Sequence, residues 1–193
     1  MRDKRFTLAS RLIHWAIAFT FLYILLTVLL RLGWMNKGHM GDIIQENLAK
    51  DGITLDKDAA GTLAKKVRKP MWSTHLIAGY VLIGLYFVRM IITYVQGQAF
   101  ANPLKPGVSG YQKFKSWVYI VFYILLAGSL VTGILIEFGP KSIHQVSEEI
   151  HKLSLYYMIA FIAVHIVGVV IADGSKERGI ISKIISGDRP VEY

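Results

Sequence analysis

The sequence predicts an all-α integral membrane protein, a four-helix bundle that spans the bilayer. Of its 193 residues, 53% are hydrophobic. Four stretches contain no charged residue and are each about 20 residues long, enough to cross a hydrocarbon core of roughly 30 Å. They are residues 12–30, 70–88, 116–136 and 153–172. Because lipid offers the backbone no hydrogen-bonding partner, each stretch is expected to be helical.

The four helices are expected to form a single domain over residues 1–193, and the polar residues beside them set their bounds. These bounds are about 10–32, 70–96, 113–138 and 146–173. The first helix is too long and too aromatic for the core of a signal peptide, and no small-residue cleavage site follows it, so we expect it to be retained. In the tail, residues 177–187, isoleucines at helical spacing between basic residues predict a short amphipathic helix on the membrane surface.

The outer loop between the first two helices, residues 33–69, is long for a connection inside a compact domain. Loops of this length are usually functional or flexible. The portions 41–50 and 57–69 are each predicted to form a short surface helix, with Asp56 or Asp58 as an N-cap.

Basic residues flank the apolar stretches, and the formal net charge is +9. In a soluble protein this excess would suggest nucleic acid, but here it indicates contact with anionic lipid headgroups, and no nucleic-acid partner is expected. The N-terminal segment with Arg2, Lys4 and Arg5, the connector 97–115 and the tail after residue 173 fall on one side of the membrane. The positive-inside rule makes this the cytoplasmic side, with both termini in the cytoplasm.

Four histidines lie in or at the edge of the apolar stretches: His14, His75, His151 and His165. An ionisable group in hydrocarbon is costly, so each is a candidate functional residue. His151 and His165 are fourteen residues apart, which on one helix is about four turns and roughly 21 Å, too far for one metal ion to bridge. Neutral imidazole is a common haem ligand. By depth, we expect His14 to pair with His165 and His75 with His151, giving two b haems between the helices.

Other interpretations of these histidines remain open. His144 lies seven residues before His151, on nearly the same helix face, and could replace it if the fourth helix starts early. A single membrane histidine is often a packing residue or part of a proton relay. Structural zinc would need four clustered ligands, which no set of these residues provides. His39, in the outer loop, is expected to be solvated.

The chain contains no cysteine. This absence excludes disulfides, iron–sulfur clusters, thiolate ligands and the C-x-x-C-H site of covalently attached haem. Any haem is therefore expected to be bound non-covalently.

Two further residues are candidate cofactor contacts. Arg89 ends the charge-free part of the second helix and could pair with a haem propionate as a planar, charge-assisted donor. Its alternative role is a snorkelling anchor at the interface. Gly79 lies one turn after His75, where a small residue would let a macrocycle or another helix approach the backbone.

The opening of the chain, Arg11-x-x-His14-Trp15, resembles the Arg-x-x-His-Trp of bacterial cytochrome b561 and of the b-type cytochromes of nickel–iron hydrogenases. His75 followed by Gly79 is similar to the second helix of that superfamily. The resemblance extends through Arg89, the Thr132-Gly133 pair of the third helix, the fourteen-residue interval between the last two candidate histidines, and the tail 179–187. The loop 33–69 is longer than the corresponding connection in compact members.

The resemblance implies two non-covalent b haems, each held by two histidines, and electron exchange with a membrane quinone, which we place near His14 and His165. The redox partner on the opposite side would be a hydrogenase or dehydrogenase subunit docked on the loop 33–69, and a homodimer is a further possible assembly. One alternative is a stand-alone superoxide:quinone oxidoreductase, which the basic run 65–69 would support. Another is a haem-free membrane transporter or assembly protein that uses its histidines as proton relays.

Overall fold

The computed structural model describes residues 6–96, 102–175 and 177–187, and within these ranges the chain forms seven helices and no strand. The helices are α1 (Leu8–Leu32), α2 (Lys37–Lys50), α3 (Lys57–Val95), α4 (Gly110–Phe138), α5 (Lys141–Lys152), α6 (Ser154–Gly174) and α7 (Ile180–Ser186). Four segments are long and apolar enough to cross a membrane: α1, α3, α4, and α5 together with α6. The prediction of an all-α, multi-pass membrane bundle is confirmed. The basic residues predicted to flank the first helix, Arg2, Lys4 and Arg5, lie outside the described residues.

The chain divides into two compact units, one of residues Ala18–Leu82 and one of Met1–Ile17 with Ile83–Tyr193. In the first unit, α2 lies against the start of α3. A Cβ placed on Gly41 would be 3.6–3.8 Å from Ala60 and Gly61, and Ala60 is 1% exposed. Small residues at this contact let the two helix backbones approach closely, so the first turns of α3 are packed.

This packing explains how the predicted loop helices are organised. The predicted helix 41–50 lies within α2, and the predicted helix 57–69 is continuous with the membrane helix as the first part of α3. The Asp56 carboxylate accepts a hydrogen bond of 2.8 Å from the Ala59 N–H, so Asp56 caps α3 as one of the two predicted candidates. The helix was expected to begin at Pro70, yet Pro70 lies inside it. An internal proline costs a helix about 3 kcal/mol, and the contacts of the first turns with α2 offset part of that cost.

The fourth predicted helix, 146–173, is interrupted at Leu153, which separates α5 from α6. The Leu153 N–H donates to the Ile150 carbonyl, and the Tyr156 N–H donates to the Leu153 carbonyl, both at 3.1 Å. The Ser154 hydroxyl donates to the His151 carbonyl. Bonds that span three residues tighten the chain and break the regular helical ladder. His151 therefore lies in the last turn of α5, whereas His165 belongs to α6.

The tail helix α7, expected over 177–187, is tied to residues at the start of α1. One guanidinium nitrogen of Arg11, Nη2, donates to the Ile185 carbonyl at 2.6 Å, and Trp15 Nε1 donates to the Ile184 carbonyl at 3.2 Å. The last carbonyls of a helix have no partner within it, so these two donors satisfy groups that would otherwise need water. Gly187 ends α7 with φ +83°.

Gly187→Ala is expected to lower thermal stability more than Gly107→Ala does. Both glycines have left-handed φ, +83° and +82°, which costs alanine about 1–2 kcal/mol. Only at Gly187 would the new Cβ also meet a side chain, Arg11 Nη1 at 2.5 Å; the space around Gly107 is open. Thermal unfolding of the two variants in detergent measures the difference. Equal melting temperatures would show that the contact between Arg11 and the tail contributes nothing to stability.

Candidate functional site

His14 of α1 and His165 of α6 lie side by side, with ring centroids 6.2 Å apart and ring planes at 44°. A metal ion bound between two imidazoles forms bonds of about 2 Å to each nitrogen, and each nitrogen lies about 1 Å from its ring centre, which gives about 6 Å between centroids. One metal ion between the two rings would fit this separation. Both side chains are half-buried.

Aromatic side chains surround His165. Its Nδ1 lies 3.3 Å from the Tyr119 hydroxyl, and Phe161, one turn earlier on α6, stacks on its ring at 5.5 Å and 18°. Phe122 of α4 stacks in turn on Phe161, at 3.6 Å and 13°. These contacts hold the imidazole ring between α4 and α6.

Two arginines and a tryptophan lie near His14. Trp15 meets the imidazole edge-on, with centroids 5.6 Å apart, and together with Arg11 it binds the tail helix. The half-buried Arg89 is close enough for its charge to act on both His14 and Tyr119. Arg89 thus joins the same cluster, where a guanidinium suits an anionic group of a cofactor.

His75 is 8% exposed, and the protonation of its ring follows from its neighbours. Its Nδ1 lies 2.7 Å from the Thr27 hydroxyl oxygen, and that hydroxyl donates its one hydrogen to the Ile24 carbonyl at 2.6 Å. The Thr27 oxygen must therefore accept the hydrogen bond, so His75 Nδ1 carries the proton. This tautomer puts the lone pair that a metal ion binds on Nε2. Trp72, one turn earlier, stacks on the ring at 4.4 Å and 7°.

His151 has the same tautomer for a related reason. Its Nδ1 lies 3.0 Å from the Ser129 carbonyl oxygen of α4, which can only accept, so Nδ1 again carries the proton. The Thr132 hydroxyl lies 3.2 Å from the same nitrogen. A Cβ placed on Gly133 would come within 3.3 Å of His151 Cε1, so the glycine makes room for the imidazole ring.

The remaining histidines lack such surroundings. His144 and His39 are both exposed, His144 on α5 and His39 on α2. Around Gly79, a Cβ would meet nothing within 4 Å, and the same holds for Gly84, Gly128 and Gly168. Open space beside these spans is compatible with a planar cofactor or with lipid.

No cluster of three or more histidine, cysteine, aspartate or glutamate side chains occurs in residues 6–96, 102–175 and 177–187. A four-ligand structural zinc site is thus not formed by the described residues. Pairs of histidine ligands would suit a macrocyclic cofactor, which supplies the other ligands of its metal ion itself.

The sequence did not predict the residues that contact the imidazole rings. Thr27, Trp72, Tyr119, Ser129 and Phe161 are not among the predicted site residues. A weak signal exists for the hydroxyl residues, because serine or threonine inside an apolar helix needs a hydrogen-bonding partner. Nothing in the sequence indicates which histidine each of them contacts.

Four membrane spans, three of which carry buried or half-buried histidines in contact with neighbouring side chains or carbonyls, define a class of polytopic membrane proteins that bind a cofactor within the bilayer. The family model described as prokaryotic cytochrome b561 matches residues 5–187, and the chain belongs to this family. It is thus a membrane b-type cytochrome that binds haem and takes part in electron transfer. No curated protein and no solved structure matches the chain.

Proposed function

We propose that the chain binds two b haems, each through two histidines, and carries electrons across the bacterial inner membrane between quinone and a redox partner. The observation that carries this proposal is the 6.2 Å separation of the His14 and His165 ring centroids, the spacing of two axial ligands on one iron. When bound, each haem supplies a couple between ferric and ferrous iron for one-electron transfer.

For the second haem we propose His75 and His151 as ligands. Each belongs to the edge of its apolar stretch, and each carries its proton on Nδ1, which leaves the lone pair for metal binding on Nε2. A ligating histidine almost always donates its other N–H to an acceptor, which fixes the ring and raises the basicity of the ligand. The Thr27 hydroxyl and the Ser129 carbonyl are these acceptors. The exposed His144 has no such acceptor among its described contacts, so we assign the role to His151.

Thr27→Val is expected to weaken haem retention at the His75 site by about tenfold or more, as loss of a metal ligand's hydrogen-bonding partner does. Valine keeps the shape of threonine but leaves His75 Nδ1–H without the Thr27 oxygen. The measurement is the rate of haem loss to apomyoglobin, followed by the visible spectrum. Thr20→Val is the matched control, the same exchange two turns earlier on α1. Equal rates in the two variants would contradict this role for Thr27.

For quinone we propose a pocket of about 70 Å³ beside His165, next to the haem that His14 and His165 would hold. Its walls are mainly apolar, and Tyr119 and Lys115 provide polar groups. Binding sites for apolar cofactors have this composition, because a few polar groups orient a molecule that apolar walls hold. Lys115, which lines the pocket, also pairs with Glu177 at 2.6 Å.

The side of the membrane and the partner complete the proposal. We propose, from the basic flanks, that the termini and the connector 97–115 face the cytoplasm, so that the segment 33–69 would face outward. That segment forms a packed pair of helices, α2 and the first turns of α3, which is a firmer docking surface than a flexible loop. We propose it as the contact for a dehydrogenase or hydrogenase subunit.

A reduced-minus-oxidised visible spectrum of the detergent-purified protein, with haem quantified per chain, tests the proposal. Two low-spin b haems per chain with sharp α bands are expected. One haem per chain would overturn one histidine pair. No haem, even after reconstitution, would favour the haem-free transporter or assembly protein. Copurification with a large redox subunit would support the docking assignment, and purification without one would count against it.

A further inference from the structure

A pocket of about 180 Å³ opens in the unit of residues Ala18–Leu82, and none of its lining residues lines the quinone pocket proposed above. Its six lining residues are Arg31, Lys65, Arg68, Lys69, Met71 and Trp72. Four of the six are cationic, and none of these six is acidic. Four positive charges in one pocket repel one another, which costs free energy. A bound anion would relieve this repulsion, so the pocket favours an anionic ligand.

The sequence builds this pocket from two helices. Arg68 and Lys69 lie three and four residues after Lys65, which places them with Lys65 on one face of α3. Arg31, in the last turn of α1, adds the fourth cation.

The guanidinium groups and the floor of the pocket are fixed by contacts. The Arg31 guanidinium carbon lies 4.0 Å from the centre of the Trp72 ring. Arg68 Nη1 donates to the Met35 carbonyl at 3.2 Å. Trp72 itself is held by its stacking on His75. Two of the four cations and the aromatic floor are thus held in place before any ligand arrives, which lowers the entropy lost on binding.

The position of the pocket indicates the kind of anion. Arg31 ends the apolar helix α1, and the charge-free stretch of α3 begins at Pro70, just after Lys69. Cations beside a tryptophan at the end of an apolar span are typical of the headgroup level of a membrane. Met71 and Trp72 form an apolar floor on which glycerol and the first methylenes of an acyl chain could rest.

We propose that this pocket binds the phosphodiester headgroup of an anionic phospholipid. The pocket is several times larger than a water molecule's share of liquid volume, about 30 Å³, so a small ion would leave most of it to solvent. A phosphate group also suits the four cations better than a small monovalent anion does. It offers several oxygens, and guanidinium groups bind phosphate oxygens bidentately. None of the four cations belongs to the haem or quinone assignments, although Trp72 stacks on the proposed ligand His75. Lys65, Arg68 and Lys69 lie in the segment 33–69 proposed above as the docking surface.

Lipid retention by the purified, haem-loaded full chain tests the proposal. The protein is delipidated, exchanged into nanodiscs of phosphatidylcholine with or without phosphatidylglycerol, and released into native mass spectrometry to count bound lipids. We expect retained phosphatidylglycerol. Lys65→Gln and Lys69→Gln should each lower its retention about fivefold, the factor that one basic residue near an anionic membrane surface is worth. Lys66→Gln is the matched control, an exposed lysine in the same run that does not line the pocket.

Each other outcome overturns the proposal. Equal losses in the Lys66→Gln and Lys69→Gln variants would show a diffuse surface charge effect without a site. Equal retention of phosphatidylcholine would show that charge does not select the lipid. Displacement of phosphatidylglycerol by millimolar inorganic phosphate would assign the pocket to a free anion. Because these three lysines are exposed, an unchanged haem spectrum and elution volume will show that the variants are folded.

Discussion

His165→Ala is expected to remove one b haem per chain and to leave the other with its spectrum intact. The His165 ring lies 6.2 Å from that of His14, at the spacing of two ligands on one metal ion, so its loss leaves the iron with a single axial nitrogen from the protein. Haem per chain, from the pyridine haemochrome and the protein concentration, should fall by about half, since low-spin haem iron takes two axial ligands. His14→Ala should remove the same haem.

The double variant His14→Ala/His165→Ala distinguishes a shared haem from two separate effects. If both histidines hold one haem, the double variant retains as much haem as either single variant. His39→Ala is the control, because His39 is exposed on α2 and should not change the haem content. A double variant without any haem would contradict the pairing of His14 with His165.

His151→Ala is expected to remove the other haem, whereas His144→Ala should leave both in place. The two histidines are seven residues apart on α5, so the pair of variants differs little in position. Only His151 is held, through Nδ1, by the Ser129 carbonyl at 3.0 Å, while His144 is exposed. The visible spectrum and the haem content of both variants provide the measurement.

Double variants test whether His75 and His151 hold the same haem. The variant His75→Ala/His151→Ala should retain one haem, while His151→Ala/His165→Ala should retain none. If His144→Ala removes a haem and His151→Ala does not, the assignment of the ligand on α5 is wrong. If His75→Ala leaves both haems in place, the second ligand pair is wrong whatever α5 contributes.

The features that the sequence could predict are local ones. Charge-free stretches of sufficient length predict helices because lipid leaves the backbone no alternative, and all four were found. Asp56 could be selected as a candidate cap because an aspartate needs only the N–H three residues ahead of it. His14 and His165 lie side by side. This could be predicted because the position of each histidine within its apolar stretch indicates its depth in the membrane, and the two depths are similar.

Other features depend on contacts between distant residues. Thr27 meets His75 across 48 positions, and no pattern near either residue indicates the other. α3 continues through Pro70, and its first turns pack against Gly41 of α2, a contact that a local rule about proline does not include. The interruption at Leu153 requires a side-chain bond from Ser154 to the backbone, one of several bonds that a serine can form.

Ser129 illustrates a limit on what mutational scanning can reveal. Its carbonyl accepts from His151, while its hydroxyl accepts from the Tyr157 hydroxyl at 2.9 Å. Every substitution that keeps the helix also keeps the carbonyl, so a scan across position 129 would report the loss of the tyrosine contact and nothing about the histidine. The acceptor that sets the His151 tautomer is a main-chain carbonyl. The hydrogen bond to His151 therefore does not restrict which residue can stand at position 129.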